Sequence, residues 1–229
     1  FGDVLETIRY FGKMIDKHGV TLKLNTRVDS SMLAGFDEVL IATGVTPRKP
    51  GIPGIDHPKV VNYVDVLKGK VQVGQRVAVI GAGGIGFDVS AFLVYGDAPK
   101  PEHLQEWLAE WGVNFASDAP GGLEAPARMH PAREIALLQR KESELGNNLG
   151  RTSGWVHRAS LKKNAVKMLP GCEYLKIDDA GLHIRQGGEE VLIEADSIVI
   201  CTGQESLRDL YREGSNAPRY QLIGGADVA

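Results

Sequence analysis

Paired cysteines, long apolar runs and an excess of one charge are all missing from this chain. Its two cysteines, Cys172 and Cys201, lie far apart and in no C-x-x-C spacing. That leaves no visible zinc or iron–sulfur site and no metal-ligand set. No apolar run is long enough to span a membrane and no signal peptide opens the chain, so cytoplasm is the default compartment and no membrane partner is expected. A formal net charge of −3 in 229 residues argues against a nucleic-acid binder working through bulk charge. What is present is ordinary: 43 % hydrophobic and 24 % charged residues suffice for a sizeable core. The chain starts at Phe1 in a helical pattern and stops at "LIGGADVA", where an apolar strand has just met a glycine turn. The expectation is a piece of a longer polypeptide.

Apolar spacing predicts a helix over 3–18, closed by Gly19. "VTLKLNTRV" (20–28) alternates and reads as a strand, while "FDEVLIATG" (36–44) reads as a strand buried on both faces. Residues 45–58 are rich in Pro and Gly, which excludes a helix or a central strand and suggests a crossover. "QRVAVIGAGGIG" (75–86) is a strand running into glycines, with a helix expected over 85–95. Another buried strand is expected over 134–141, after an insertion at 96–133 that contains Pro99, Pro101, Pro120 and Pro126 around a short helical stretch. A helix is predicted over 152–166 and a strand meander over 172–203, with turns at 179–181 and 187–188. "FDEVLIATG" is echoed by "ADSIVICTG" (195–203), so a buried strand twice delivers a Thr-Gly turn. The echo suggests two similar nucleotide-binding units, one inserted in the other.

Gly81, Gly83 and Gly86 fit G-x-G-x-x-G between a strand and a helix. The first glycine makes the tight turn, the second lets the backbone approach a pyrophosphate, and the third lets the helix pack closely on the strand. The helix start then offers unpaired N–H groups to the anion. The other reading is a plain strand–helix turn. The next strand of such a unit normally ends in an acid that binds the adenosine ribose. Here it ends "LLQRK": Gln139 occupies or borders that place, and Arg140 and Lys141 follow. A 2'-phosphate would be repelled by a carboxylate and held by Arg–Lys, which points to NADPH. The bland alternative is a pair of solvated charges at a strand end. Arg151 is a further candidate for the phosphate. Asp88 is expected in the first turn of the helix, either serving the helix dipole or standing beside the nicotinamide.

With these motifs in place, the chain resembles flavoproteins that carry two dinucleotide-binding domains. More narrowly, "HPKVVNYVDVL" (57–67), "VAVIGAGGIGFDVS" (77–90), "LLQRK", "GRTSGWVHR" (150–158), "KIDDAGLHI" (176–184), "CTGQE" (201–205) and "LIGGADVA" (222–229) resemble the C-terminal region of the bacterial NADPH-dependent 2,4-dienoyl-CoA reductases. These are iron–sulfur flavoproteins related to old yellow enzyme, enoate reductase and trimethylamine dehydrogenase. The resemblance implies an α/β, Rossmann-like NADPH domain over 71–203, with the insertion 96–133, set into a partial FAD domain at 1–70 and 204–229. An N-terminal barrel with FMN and a [4Fe-4S] centre would belong to the same polypeptide outside this sequence. The NADPH pyrophosphate would fall to Gly81, Gly83, Gly84, Ile85 and Gly86, with Gly203 in the second Thr-Gly turn also a cofactor-side residue. FAD would pass close to Ala42, Thr43 and Gly44, and Gly225 and Asp227 of "GGAD" match a closing Gly-Asp motif interrupted by Ala226. The implied chemistry is hydride transfer from NADPH to FAD in fatty-acid metabolism, with no catalytic side chain needed in this stretch.

Two other enzyme classes lose ground on particular residues. No tyrosine has a lysine four positions on, which removes the short-chain dehydrogenase pair, and Cys172 and Cys201 are no redox couple. His57, His157 and His183 are isolated and read as structural or exposed. A generic flavoprotein reductase and a non-catalytic nucleotide-binding domain remain as alternatives.

Overall fold

The computed structural model describes residues 2–96, 104–126, 131–212 and 218–229, with side chains from residue 5 onward. Pro99 and Pro101 of the expected insertion lie outside the described residues. In chain order the elements are α1 (Gly2–Lys17), β1 (Glu38–Ile41), β2 (Val45–Pro47), β3 (Val60–Asn62), α2 (Tyr63–Leu67), β4 (Arg76–Ile80), α3 (Gly84–Tyr95), α4 (Leu104–Trp111), β5 (Glu134–Leu138), α5 (Gly154–Lys163) and β6 (Lys167–Leu169). There follow β7 (Glu173–Asp178), β8 (Gly181–Gln186), β9 (Glu189–Glu194), β10 (Ser197–Ile200), β11 (Gln204–Ser206) and β12 (Arg219–Leu222). Among the described residues no helix is long and apolar enough to cross a membrane.

Two compact units result, one formed by 1–44 with 207–228 and the other by 45–206. Residues 45–70, expected with the first unit, pack in the second because β3 hydrogen-bonds β10 there. The second unit is built on a parallel sheet ordered β3-β10-β4-β5-β6. Parallel strands need both faces covered, and "VAVI", "IALL" and the "IVI" of β10 are apolar for that reason. Val77, Val79, Ile135, Leu137 and Val199 point to one face, where α3 supplies Phe87, Val89 and Leu93 and α5 supplies Leu161. Ala78, Ile80, Leu138, Ile198 and Ile200 point to the other, covered by Ile177, Leu182 and Ile184 of the antiparallel meander β7–β8–β9. Each fully buried Leu, Ile or Phe contributes about 1.5–3 kcal/mol, so both faces of the core stabilise the sheet that carries the glycine turn.

The first unit holds α1, closed by Gly19 at φ +62°, and a two-stranded parallel sheet of β1 and β12. Leu5, Ile8 and Phe11 of α1 are exposed. The strand expected over 20–28 does not form: those residues are exposed and enter no ladder. Alternation is a local pattern, whereas a strand exists only where a neighbour takes up its N–H and C=O groups. The proline-rich 45–58 does contain a short strand, β2, which among the described residues pairs with β11 alone, in antiparallel fashion.

Candidate functional site: a glycine turn beside a basic loop

The turn between β4 and α3 has the three distinct glycine environments that a dinucleotide needs. Gly81 leaves the strand at φ +108°, and its N–H donates to the Leu138 carbonyl at 2.8 Å, tying the turn to the neighbouring strand. A Cβ on Gly81 would stand 2.3 Å from the Cys201 carbonyl oxygen. A Cβ on Gly86 would stand 1.8 Å from the Gly81 carbonyl oxygen, so helix and strand touch there. By contrast, Gly83 and Gly84 face open space, with no atom within 4 Å of an added Cβ. The Gly83–Gly84 step is therefore open for backbone approach by a pyrophosphate. Gly83 is the N-cap of α3 and offers no side-chain cap, which leaves the first-turn N–H groups to an anion. Ile85 is half-buried against the helix-side core. The cradle fits the dinucleotide.

Asp88 requires a correction. The helix begins at Gly84, inside the glycine motif, so Asp88 falls in its second turn and the first turn has no acidic residue. Dipole effects fade beyond the first turn, so that role is weak for this exposed side chain.

Arg140 and Lys141 sit just past β5, two and three residues beyond the Leu138 carbonyl that receives the Gly81 N–H. The basic pair thus lies at the same carboxyl edge as the glycine turn. Both side chains are exposed and engage in no hydrogen bond or ion pair among the described residues. The strand stops at Leu138, short of the 141 expected, yet the backbone beyond it is not loose. Gln139 N donates to Leu169 O at 3.0 Å, Cys172 N to Gln139 O at 2.9 Å, and Gly171 N to Lys141 O at 2.9 Å. Gln139 Nε2 donates to the Lys141 carbonyl at 3.0 Å and also to that of Ser143. Nothing in sequence pattern marks Gln139 for that work. Glu144, on the same connection, lies 3.7 Å from Arg158 of α5, which offsets its charge. Arg151 is exposed in the turn that leads into α5.

Gly203, at φ +100°, follows β10, and its carbonyl accepts the Arg48 N–H at 3.0 Å. A cleft of about 410 Å³ opens at the ends of β3 and β10, lined by Arg48, His57, Asn62 and Ile200 among others. A larger one, about 480 Å³, lies away from the glycine turn, between α4 and residues 112–125.

In the first unit, the strands β1 and β12 deliver two turns side by side, since Ile223 N donates to Ile41 O at 3.0 Å. Ala42, Thr43 and Gly44 form one turn, with Gly44 at φ +76° and the Thr43 hydroxyl donating to the Leu207 carbonyl. Gly225 and Asp227 belong to the other. Arg208, which sequence reasoning missed, clamps this second turn: Nε donates to Ala226 O at 2.7 Å and Nη2 to the Asp227 carbonyl. The guanidinium holds the backbone of Asp227, and its carboxylate has no protein partner among the described residues.

The two thiols lie in cores on opposite faces of the sheet, Cys201 with the helices and Cys172 with the meander. Burial pushes Cys201 up to about 12 and raises Cys172 as well, so neither is a ready thiolate. His57 lies 3.1 Å from Asp179 and His183 2.8 Å from Asp178, while His157 is exposed. Two are paired with carboxylates and the third is solvated, as expected of structural or exposed histidines.

A parallel sheet with helices on one face and a glycine turn at its carboxyl edge defines a Rossmann-like dinucleotide-binding domain. The sequence matches the pyridine nucleotide-disulphide oxidoreductase family over residues 7–221, and the chain belongs to that family. It is similar to a cinnamate reductase of Clostridium sporogenes, 27% identical over 223 residues that make up 96% of this chain and 28% of that protein. A metal reductase of Desulforamulus reducens is 26% identical over 192 residues, 83% of this chain and 28% of the relative. Among solved structures, a 2-naphthoyl-CoA reductase in complex with 2-naphthoyl-CoA superposes with a TM-score of 0.74 at 28% identity, covering 99% of this chain and 30% of that one. The chain thus spans under a third of the length of these relatives. Fold and family together make it a domain of the NAD(P)H-dependent flavoprotein oxidoreductases, whose fold binds FAD and NAD(P)H.

Proposed function

We propose that this chain is the NADPH-binding, electron-entry portion of a larger reductase of the 2,4-dienoyl-CoA reductase type. The observation that carries the reading is the unpaired Arg140–Lys141 doublet at the strand end that is hydrogen-bonded to the glycine turn. When bound, NADPH would supply a hydride for which FAD would be the acceptor, and FMN and [4Fe-4S] outside this chain would carry the electrons on to an unsaturated acyl-CoA. The residues here do the binding and orienting. Gly83 and Gly84 admit the pyrophosphate, the α3 N-terminus offers it N–H groups, and Arg140 and Lys141 hold the 2'-phosphate, with Arg151 as an additional contact. Gly203 flanks the turn. Ala42, Thr43, Gly44, Gly225 and Asp227 provide a partial FAD site, with the Asp227 carboxylate free to accept a ribityl hydroxyl. The rest of that site, the barrel and the iron–sulfur centre belong to the same polypeptide.

The relatives named for reducing cinnamate and 2-naphthoyl-CoA support a conjugated acid or acyl-CoA as the final acceptor. The metal reductase favours a second reading, a generic NAD(P)H-dependent flavoprotein reductase of the same fold. Flavin and iron analysis of the full-length protein tests the choice. FAD, FMN and iron together with NADPH-driven flavin bleaching support the first reading. Flavin without iron leaves only the second, and absence of both NADPH and NADH binding removes both.

A further inference from the structure

Gln139 stands where a dinucleotide-binding strand usually presents its ribose-binding carboxylate, yet its amide is spent inside the chain. Nε2 donates to the carbonyl oxygens of both Lys141 and Ser143. We infer that Gln139 is a positioning residue for cofactor choice: it braces the backbone of 140–143 so that Arg140 and Lys141 are presented at the edge beside the glycine turn. This rests on the NADPH reading given above.

Three features make the case. First, the brace completes a set of fixed points. Gln139 N and O are bonded to Leu169 and Cys172, and the Lys141 carbonyl accepts from Gly171 N at 2.9 Å as well as from Gln139 Nε2 at 3.0 Å. The backbone under the two cations is held from both sides, while their own side chains are exposed and make no hydrogen bond or ion pair among the described residues. Second, the carbonyl oxygens of Lys141 and Ser143 are the negative ends of the loop's peptide dipoles. With both directed at an amide donor, they are not aimed at an incoming phosphate dianion. Third, the chemistry of the side chain is specific. A glutamate at this position has no N–H to donate, so it would set a carboxylate against two carbonyl oxygens and add a negative charge beside the phosphate site. One substitution away from the ribose-reading acid, glutamine both removes the repelling charge and locks the loop.

The test is Gln139→Met in the full-length protein, which keeps the length of the side chain and removes the donors. Affinities are measured for NADPH and NADH, and for 2',5'-ADP and 5'-ADP as probes with and without the 2'-phosphate. NADPH and 2',5'-ADP should weaken about fivefold to tenfold, while NADH and 5'-ADP change by less than about twofold, as loss of one or two neutral hydrogen bonds at the phosphate loop implies. Gln139→Asn, which keeps an amide on a shorter stem, should retain more of the preference. Equal losses for both members of each pair, no loss at all, or a larger loss for Asn than for Met would overturn the brace. The double variant Arg140→Ala/Lys141→Ala separates this from the underlying reading. If the double variant keeps the NADPH preference, the reading itself fails; if it loses the preference while Gln139→Met does not, only the brace fails.

Discussion

Gly86 packs its bare Cα against the carbonyl oxygen of Gly81, leaving 1.8 Å where a methyl group would have to fit. Gly83, three residues earlier, has nothing within 4 Å of the same position. The two glycines differ in what surrounds them: one is required by the fold, and the other is the one the proposed function gives to the ligand. Gly86→Ala is therefore expected to destabilise the protein by about 3 kcal/mol or more, because the obstacle is backbone and not a side chain that can turn away. Gly83→Ala should cost about 1 kcal/mol, the usual loss at an N-cap. It should nonetheless weaken dinucleotide binding by about an order of magnitude, since its methyl occupies the ligand's approach. Urea unfolding and nicotinamide titration on both variants check this separation.

Replacing Arg140 and Lys141 by alanine should weaken NADPH by about two to four orders of magnitude, the loss of two charge-assisted hydrogen bonds at roughly 1.5–3 kcal/mol each. NADH, which lacks the 2'-phosphate, should change by less than about threefold, and the salt dependence of NADPH binding should flatten. Fluorescence titration with both nucleotides at two ionic strengths gives the comparison directly. Equal losses would assign the pair to the solvated surface.

The thiols should be inert. With Cys201 pushed up to about 12 and Cys172 raised by burial on the opposite face, neither should react with a maleimide at pH 8 in the folded protein. Both should react on unfolding, and Cys201→Ala should still bind nucleotide. Rapid labelling of either thiol in the native state would contradict the buried placement.

Acid stability should depend on a carboxylate far from the ligand. Arg76 holds Asp196 down at about 2 from 3.8, through its side chain and its backbone N–H at 2.9 Å. A folded-state value below the unfolded one means that folding favours the charged form, so this contribution is complete above pH 3.8 and is lost as pH falls towards about 2. Asp178 is depressed in the same direction by Lys176 and His183. Asp196→Asn should thus flatten part of the stability profile in that window while leaving the remainder to Asp178. Denaturant midpoints between pH 5 and 2 measure the slope; an unchanged slope would show that the pair is already broken in solution.

Sequence pattern carried furthest where a local signal and a buried element coincide. The run "VAVIGAGGIG" needs its glycines for reasons of backbone geometry, and the strand–turn–helix follows with little help from elsewhere. The two Thr-Gly turns follow the same pattern, Gly44 and Gly203 both taking positive φ after a parallel strand, but only β10 is buried. Among the described residues β1, expected to be covered on both faces, has a single neighbour and leaves Leu40 exposed. Residues 20–28 misled because alternation says how a strand would face, not whether a partner exists. Asp88 falls in the second turn and not the first because the helix starts at Gly84, one residue earlier than expected. Gln139 and Arg208 stayed hidden for another reason. Each acts through hydrogen bonds to backbone carbonyls, and a carbonyl leaves no mark in the identity of the residue that bears it.

The pairing of β2 with β11 has a consequence for how such a protein can be assembled. Val45 and Ser206, the first and last residues of the long second unit, are register partners, so that unit begins and ends about 5 Å apart. On the other side of each junction, the Leu207 N–H donates to the Gly44 carbonyl at 3.0 Å, so the host segment is already closed where the visitor is spliced in. The module from 45 to 206 is thus a cassette with a zipped seam. Excising it, or grafting it into another host, would leave neither piece a long gap to close.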